Sequence, residues 1–432
     1  MSLRRLDLRG FSGDRRKLAD ALPRPVDEQE RSSDAVAAII AEVRAGGDHA
    51  MRTLTSRFDH VAIDELRVPA HEISDALARI PAALQEALDV AHDRILAYHD
   101  HEASDVPHDF ESGGITVRHL IRPVGRVGCY APGARARYPS TVLMCAVPAQ
   151  VAGVEEIALC VPPGPDGTID DATLAAAAVA GVTEVYRVGG AQAIAAMAYG
   201  TESIAAVDVI VGPGNRYVAE AKRQVSGVVG VASAFAGPSE VVVIAGPDTP
   251  PEYAAIDLVV QAEHGPDGLA WLITWSEDVL ERVCAAVDRI VAESPRRADL
   301  EETLGAGGWA VLVDGPKQAC AVSNVVAPEH LELLTKNAAS LLGHIQSAGA
   351  VFLGTNAPAS VGDYLAGPNH VLPTNRTARF ASALRVDDFR KHIHAVSIDE
   401  EALRTLGPHV VTLAETEGLP AHARSVQLRW NG

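Results

Sequence analysis

Residues 156–226 read EIALCVPPGPDGTIDDATLAAAAVAGVTEVYRVGGAQAIAAMAYGTESIAAVDVIVGPGNRYVAEAKRQVS, and their alternation decides the fold. Short apolar runs at Ile157–Val161, Glu184–Val188 and Val207–Val211 have the length of buried strands. Helices are expected after each of them, at 171–180 (Ala-rich), 191–199 and 215–226. Strand and helix in strict alternation predict a parallel sheet with crossover helices. Two of the turns can receive an anion. Val188-Gly189-Gly190-Ala191-Gln192 follows one strand and opens a helix, and Val211-Gly212-Pro213-Gly214-Asn215 follows the next. Backbone N–H groups at a helix N-terminus favour phosphate, and glycines let it approach closely. Neither turn is a full G-x-G-x-x-G, since Tyr217 stands where the third glycine would be. Taken singly each is an ordinary strand-to-helix turn; two at one sheet edge, beyond the carboxyl ends of the strands, are a place where such sheets bind ligands.

Downstream a second series is expected, with strands at 241–245, 270–275, 309–313 and 350–353. Its helices are expected at 251–264, 277–293 and over 316–336. The stretch Gly354–Thr374 is rich in Gly, Pro and Asn with little periodicity, and a long structureless loop in a compact domain is usually functional. Upstream, 31–58 and 79–102 read as helices, the second with Leu84, Leu88, Ala91 and Ile95 at three- and four-residue spacing. Residues 1–30 form a charged, Pro-containing arm. The tail from about 386 reads as helical, with Ser397 and Glu400 as a capping box.

The bulk properties narrow the class. A chain of 432 residues holds two or more domains and buries a large core. Hydrophobic content of 47% with 4% aromatic residues fits an Ala/Val-rich α/β protein. The net charge of −19 argues against non-specific nucleic-acid binding, which needs basic patches. The N-terminal residues have no apolar signal core, and no run approaches the ~18 apolar residues of a membrane span. Cys129, Cys145, Cys160, Cys284 and Cys320 are far apart and never form C-x-x-C, as expected of reduced packing residues in a cytoplasmic protein.

The second half also carries scattered N/O groups of the kind that bind zinc: Gln261, His264, Asp363 and His422. Gln261 and His264 lie three apart on the expected helix and can face one point. Each group has a plainer reading, as a polar helix end, a turn residue or a surface histidine. Pro328-Glu329-His330 sets an acid beside an imidazole, which suits proton transfer. It is expected to open a helix with Pro328 in the first turn, where the helix dipole would lower the pKa of His330 and keep it neutral.

Longer segments carry a resemblance. Gly237-Pro238-Ser239-Glu240, Gln261-Ala-Glu-His264-Gly-Pro-Asp, Ala327-Pro-Glu329-His330-Leu-Glu, Ser360-Val-Gly-Asp363-Tyr-Leu-Ala-Gly-Pro-Asn-His370-Val-Leu-Pro-Thr374 and Glu417-Gly-Leu-Pro-Ala-His422 resemble histidinol dehydrogenases. So do Tyr130-Ala-Pro-Gly133, Tyr138-Pro-Ser140-Thr-Val-Leu-Met144, Gly189-Gly-Ala-Gln192-Ala-Ile-Ala-Ala and Gly212-Pro-Gly-Asn215. All lie in order over residues 120–425. The resemblance implies an α/β protein of two incomplete Rossmann-like parallel-sheet domains with small helical N- and C-terminal pieces. The expected division is an arm at 1–27, a main domain of 28–129 plus 238–385, a second domain at 130–237 and a tail at 386–432. It implies NAD-dependent, zinc-requiring oxidation of L-histidinol through L-histidinaldehyde to L-histidine. One Zn²⁺ per subunit would be held by Gln261, His264, Asp363 and His422. Glu329 and His330 would be the acid–base pair; Ser239 and Glu417 would join His330 and the zinc ligands in holding substrate. Tyr130, Gln192 and Asn215 would contact NAD. The partner implied is a second copy, in a homodimer whose exchanged C-terminal tail brings His422 to the neighbouring site.

Three stretches depart from the family pattern. Ala134 replaces a second glycine, Val231-Ala232-Ser233-Ala234-Phe235 lacks an expected Asp, and Asn375-Arg376-Thr377 replaces a Gly-rich stretch. Other readings are a zinc- and NAD-dependent dehydrogenase of another small diol, such as a sulfopropanediol, and a zinc hydrolase, which would need no NAD loops. Cys129, next to Tyr130, is the residue a thiol-based aldehyde oxidation would use.

Overall fold

The computed structural model describes residues 3–11, 14–23, 33–104, 108–133, 137–232, 239–263, 265 and 268–430. Its strands are β1 (Arg4–Asp7), β2 (Phe110–Ser112), β3 (Ile115–Pro123), β4 (Arg126–Tyr130), β5 (Glu156–Val161), β6 (Glu184–Arg187) and β7 (Val209–Val211). They continue with β8 (Gly230–Val231), β9 (Glu240–Ala245), β10 (Leu269–Thr274), β11 (Gly308–Leu312), β12 (His330–Leu334), β13 (Ala350–Leu353) and β14 (Arg390–Ile398). A five-stranded parallel sheet has the order β6-β5-β4-β7-β8, and a six-stranded parallel sheet the order β1-β11-β10-β9-β12-β13. The order β14-β3-β2 makes a small antiparallel sheet. The two parallel sheets are wound alike. In each the chain steps outward over three strands, then crosses to the far side of the first of them. Each sheet therefore has one switch point, between β4 and β7 and between β9 and β12.

Both faces of these sheets are covered, which is why their strands are apolar runs without a polar side. β9 reads Glu-Val-Val-Val-Ile-Ala and is buried throughout. Val241, Val243 and Ala245 pack against helices Pro251–Ala262 and Glu277–Glu293, while Val242 and Ile244 pack against helix Pro316–Val326. Each such Val or Ile side chain contributes about 1.5–3 kcal/mol of transfer free energy. A buried polar group without a partner costs a similar amount, about 1–3 kcal/mol. The polar residues retained in this core therefore call for an explanation: Glu240, Gln261, Glu329, His330 and Glu332 are all buried.

Several sequence expectations are corrected here. Helix Pro316–Val326 stops at Ala327, a left-handed C-cap with φ of +51°, and Pro328 cannot continue it. His330 then begins β12, a fully buried strand between β9 and β13 of the six-stranded sheet, so Pro328 marks a helix end rather than a start. The N-terminal arm is not only helical: β1 pairs with β11 at the sheet edge, and helix Arg15–Ala21 is capped by Asp14. The tail runs from a short 3₁₀ turn, Val386–Phe389, into β14, which pairs with β3 along its whole length. Its next helix, Glu400–Thr416, is capped by Asp399 and not by Ser397, because Ser397 is committed to β14. Helix Ser33–Phe58 packs on helices Gly190–Tyr199 and Arg216–Val225, and Ala70–Arg79 and Ala82–Ala103 pack on Asp171–Val179 and Pro139–Val151. The helices expected with the six-stranded sheet thus cover the five-stranded one. Within 354–374 lies a short helix, Ala359–Tyr364. Among the described residues no helix is long and apolar enough to cross a membrane.

Candidate active site

The switch point between β9 and β12 is occupied from the amino ends of the strands. Glu240 begins β9, and His330 begins the neighbouring β12, with Glu329 just before it. The two segments are stitched reciprocally. Glu240 N–H donates to Glu329 Oε2 at 3.0 Å, and the Glu240 carbonyl lies 3.3 Å from His330 Nδ1. A carbonyl only accepts, so in the neutral ring Nδ1 carries the hydrogen and Nε2 presents the lone pair. Nε2 lies 3.3 Å from Asp363 Oδ1, and Phe352 stacks on the ring with centroids 6.0 Å apart. Asp363 lies on helix Ala359–Tyr364, and Gln261 is buried in the last turn of helix Pro251–Ala262, which ends at the same sheet edge. Ser239, half-buried, immediately precedes β9, and its carbonyl accepts from Leu269 N–H at 3.0 Å.

The electrostatics differ from expectation because no helix starts at Glu329. Burial disfavours a charged His330, but the negative charge of Glu329 and the hydrogen bond to Asp363 outweigh it and push the ring up to about 9. Burial raises the Glu329 carboxyl, opposed by the His330 charge and the Glu240 N–H. Glu240 was not singled out from sequence. Burial and the charge of Glu329 push its carboxyl up to about 8, against hydrogen bonds from the backbone N–H groups of Arg376, Glu329 and Asn375. Those bonds explain one departure from the family pattern. Asn375 and Arg376 have φ of +53° and +62°, conformations that glycine adopts freely and that here present two N–H groups to Glu240.

Not every expected ligand is assembled. His264 lies outside the described residues. His422 and Glu417 are exposed, on helix Pro420–Trp430 and at the cap of helix Glu400–Thr416, which pack on each other. Among the described residues no group of three or more His, Cys, Asp and Glu is placed to hold a metal ion. Gln261 and Asp363 nevertheless fit a metal. Among the described residues Gln261 Nε2 is buried without a hydrogen-bond partner, so none of them accounts for its amide. Asp363 is also tied to the five-stranded unit, since its carbonyl meets His370 Nδ1 at 2.7 Å and His370 Nε2 lies 3.3 Å from Thr141 Oγ1. His370 stood in a quoted motif with no role assigned.

On the five-stranded sheet the expected cofactor residues gather at the carboxyl ends. Tyr130 ends β4, Gln192 lies in the helix after β6, and Asn215 follows β7. Tyr130 is buried, and its hydroxyl accepts from Gly190 N–H at 3.2 Å. Gln192 is buried; Asn215 is exposed and caps helix Arg216–Val225, accepting from Tyr217 and Val218 N–H at 3.0 and 3.2 Å. Gly212, with φ of +104°, packs so closely on the Tyr130 carbonyl that a Cβ would collide with it. Buried Lys222 donates to the Gly212 carbonyl. Cys129 is buried, and its hydrogen bond with Cys145, with burial, raises the thiol well above its ordinary value. That is the opposite of an activated nucleophile. Ala134 and residues 233–235 lie outside the described residues.

A family model described as histidinol dehydrogenase matches residues 22–430. The chain is 46% identical over 434 residues to the histidinol dehydrogenase of Gluconobacter oxydans, covering 99% of each. It is 46% identical to that of Neisseria gonorrhoeae, over 91% of this chain and 92% of the relative. The crystal structure of histidinol dehydrogenase from Elizabethkingia anophelis superposes with a TM-score of 0.94 at 35% identity, covering 100% of this chain and 98% of that one.

Proposed function

Because the chain belongs to the histidinol dehydrogenase family of oxidoreductases, we propose that it oxidises L-histidinol to L-histidine through L-histidinaldehyde, with zinc and NAD⁺. The observation that carries the reading is the buried pair Glu329–His330, its imidazole set between the Glu240 carbonyl and Asp363. Each half-reaction removes a hydride from carbon and a proton from oxygen; between them water adds across the aldehyde. His330 Nε2 takes the proton from the hydroxyl, while the Glu240 carbonyl holds Nδ1–H and fixes the tautomer. Glu329 takes the proton of the water that hydrates the aldehyde. Zinc on Gln261, His264, Asp363 and His422 would anchor the amine and imidazole nitrogens of the substrate, and NAD⁺ at the Tyr130, Gln192 and Asn215 loops would accept hydride. With Asp363 engaged by a cation, one of the carboxylates that favour the protonated ring is withdrawn, which suits a base.

Ser239 and Glu417 complete the substrate contacts in this proposal. In this proposal Glu417 and His422 are supplied by a neighbouring subunit, in a homodimer with an exchanged tail. The tail's surface supports this, since Val410, Leu413 and Leu428 are exposed on its two helices and Leu419 on the link between them. Unpaired cysteines fit a reducing cytoplasm.

The test is incubation with L-histidinol and NAD⁺, following NADH absorbance, with a sulfopropanediol as control. Two NADH per histidinol are expected, chelation abolishes activity, and Zn²⁺ restores it. An active metal-free preparation overturns the zinc assignment; oxidation of the control alone replaces the substrate. Mixing His422→Asn with His330→Asn subunits tests the exchange. A crossing tail gives heterodimers with one intact site and up to half the native activity, whereas a tail that stays home leaves the mixture dead.

A further inference from the structure

We propose that Asp257 and Glu332 are positioning residues, a carboxyl pair that clamps the helix carrying Asp363 against the helix carrying Gln261. Glu332 lies on β12 two residues after His330 and is 0% exposed. Its Oε1 accepts Ala359 N–H at 2.8 Å, in the first turn of helix Ala359–Tyr364, one turn before Asp363. A helix this short has few internal bonds, so an anchor on a first-turn N–H fixes much of its orientation. Among the described residues Glu332 Oε2 is buried and receives no N–H or hydroxyl donor, and the carboxyl that acts on Glu332 from the neighbouring helix is that of Asp257. Two carboxyl groups approach in a buried space only when one carries a proton, and burial and Asp257 both raise Glu332, the deeper of the two.

Asp257 lies in helix Pro251–Ala262, one turn before Gln261. The pair therefore ties together the three elements that bring Gln261, His330 and Asp363 to one sheet edge. An apolar side chain of similar volume would fill the same space without the desolvation cost of two carboxyls, so packing alone does not account for them.

The consequence for zinc rests on the proposed function; the clamp itself does not. The experiment compares Glu332→Gln, Glu332→Ala and Asp257→Ala in the full chain. It measures zinc affinity by competition with a chelating dye, kcat and KM for L-histidinol, and amide exchange of residues 359–364. Glu332→Gln can take Ala359 N–H on its carbonyl and donate to Asp257, and is expected within about threefold of the unaltered protein, a small fraction of the loss from breaking such a contact. Glu332→Ala and Asp257→Ala are expected to weaken zinc binding ~10–100-fold, to raise KM more than they lower kcat, and to speed exchange at 359–364. Unchanged exchange and zinc affinity in Glu332→Ala overturn the clamp, as does a Glu332→Gln variant damaged as much as the alanine. Should Glu332→Ala fail to fold, Asp257→Ala, at a half-buried position, carries the same test. If the unaltered protein neither binds zinc nor oxidises histidinol, the functional reading falls, and exchange at 359–364 still decides the clamp.

Discussion

In the five-stranded sheet the switch between β4 and β7 is used at the carboxyl ends of the strands, where Tyr130 and Asn215 sit. In the six-stranded sheet the matching switch between β9 and β12 is used at the amino ends, where Glu240 and His330 begin their strands. The two edges differ in polarity. A crossover helix runs back against its strands, so its N-terminus lies at the carboxyl edge and its C-terminus at the amino edge. With about half a charge at each helix end, the first edge attracts anions and the second cations. The proposed assignments follow that polarity. A dinucleotide's phosphates belong near the N-termini of helices Gly190–Tyr199 and Arg216–Val225, and a zinc ion belongs beside Gln261 in the last turn of helix Pro251–Ala262.

The largest effect should break the amino edge alone. His330→Asn removes the base but no expected zinc ligand, so turnover should fall by ~10²–10⁴-fold with zinc content unchanged. Glu329→Gln should slow oxidation of the aldehyde far more than that of the alcohol, because only the aldehyde is hydrated first. Equal slowing of both steps in stopped-flow traces would make Glu329 a positioning group.

The complementary break is at the carboxyl edge. Gly212→Ala sets a Cβ against the Tyr130 carbonyl at a φ of +104°. Local strain of about 1–3 kcal/mol should distort the turn and raise KM for NAD⁺ about tenfold. KM for histidinol should stay within about twofold, since the amino edge is built on the other sheet. Parallel rises in both constants would mean that the two edges are mechanically one site.

How far these edges were legible in sequence follows from their construction. The carboxyl edge is written in contiguous turns, Gly189-Gly190 and Gly212-Pro213-Gly214-Asn215, where each glycine meets a local backbone demand, and the alternation of 156–226 gave the strands around them. The amino edge is written in tertiary contacts. Glu240 has no local signature, because its partners Glu329, Asn375 and Arg376 lie 89 or more residues away. His330 looked like a helix start because Pro328 fits both a first turn and a helix end; pairing of β12 with β9 and β13 and burial of Leu331 and Leu333 decide between them. β1 and β14 escaped notice because edge and hairpin-like strands carry mixed, half-exposed sequences with little alternation. The expected ligands His264, Asp363 and His422 came from long motifs, which report what a family keeps without reporting which subunit supplies it.

A smaller effect should appear in stability at the amino edge. Glu240 is raised from an ordinary 4.5 to about 8 by burial first and Glu329 second. Between those values the folded protein binds more protons at this site than the unfolded chain, so the contribution is full below the lower value and fades as pH rises through the upper. Glu240→Gln removes that slope. Its melting temperature should gain on the unaltered protein between about pH 5 and pH 8, and a constant gap across that range would remove Glu240 from the stability of this edge.

The smallest effect sharpens the carboxyl edge, where Asn215 has two roles to separate. Its Oδ1 caps helix Arg216–Val225 by accepting from Tyr217 and Val218 N–H, and capping asparagines contribute about 1 kcal/mol. Asn215→Ala should lower unfolding free energy by about that amount, read from denaturant melts. Asn215→Asp keeps an acceptor in the same place, so its stability should match the unaltered protein. It also sets a negative charge at the helix N-terminus, where the dinucleotide's phosphates are proposed to lie, so KM for NAD⁺ should rise while the melt does not move. The polarity argument stands or falls on that separation. If Asn215→Asp binds NAD⁺ as well as the unaltered protein does, Asn215 is a helix cap only, and the phosphates lie elsewhere along the edge, nearer Gly190 and Gln192.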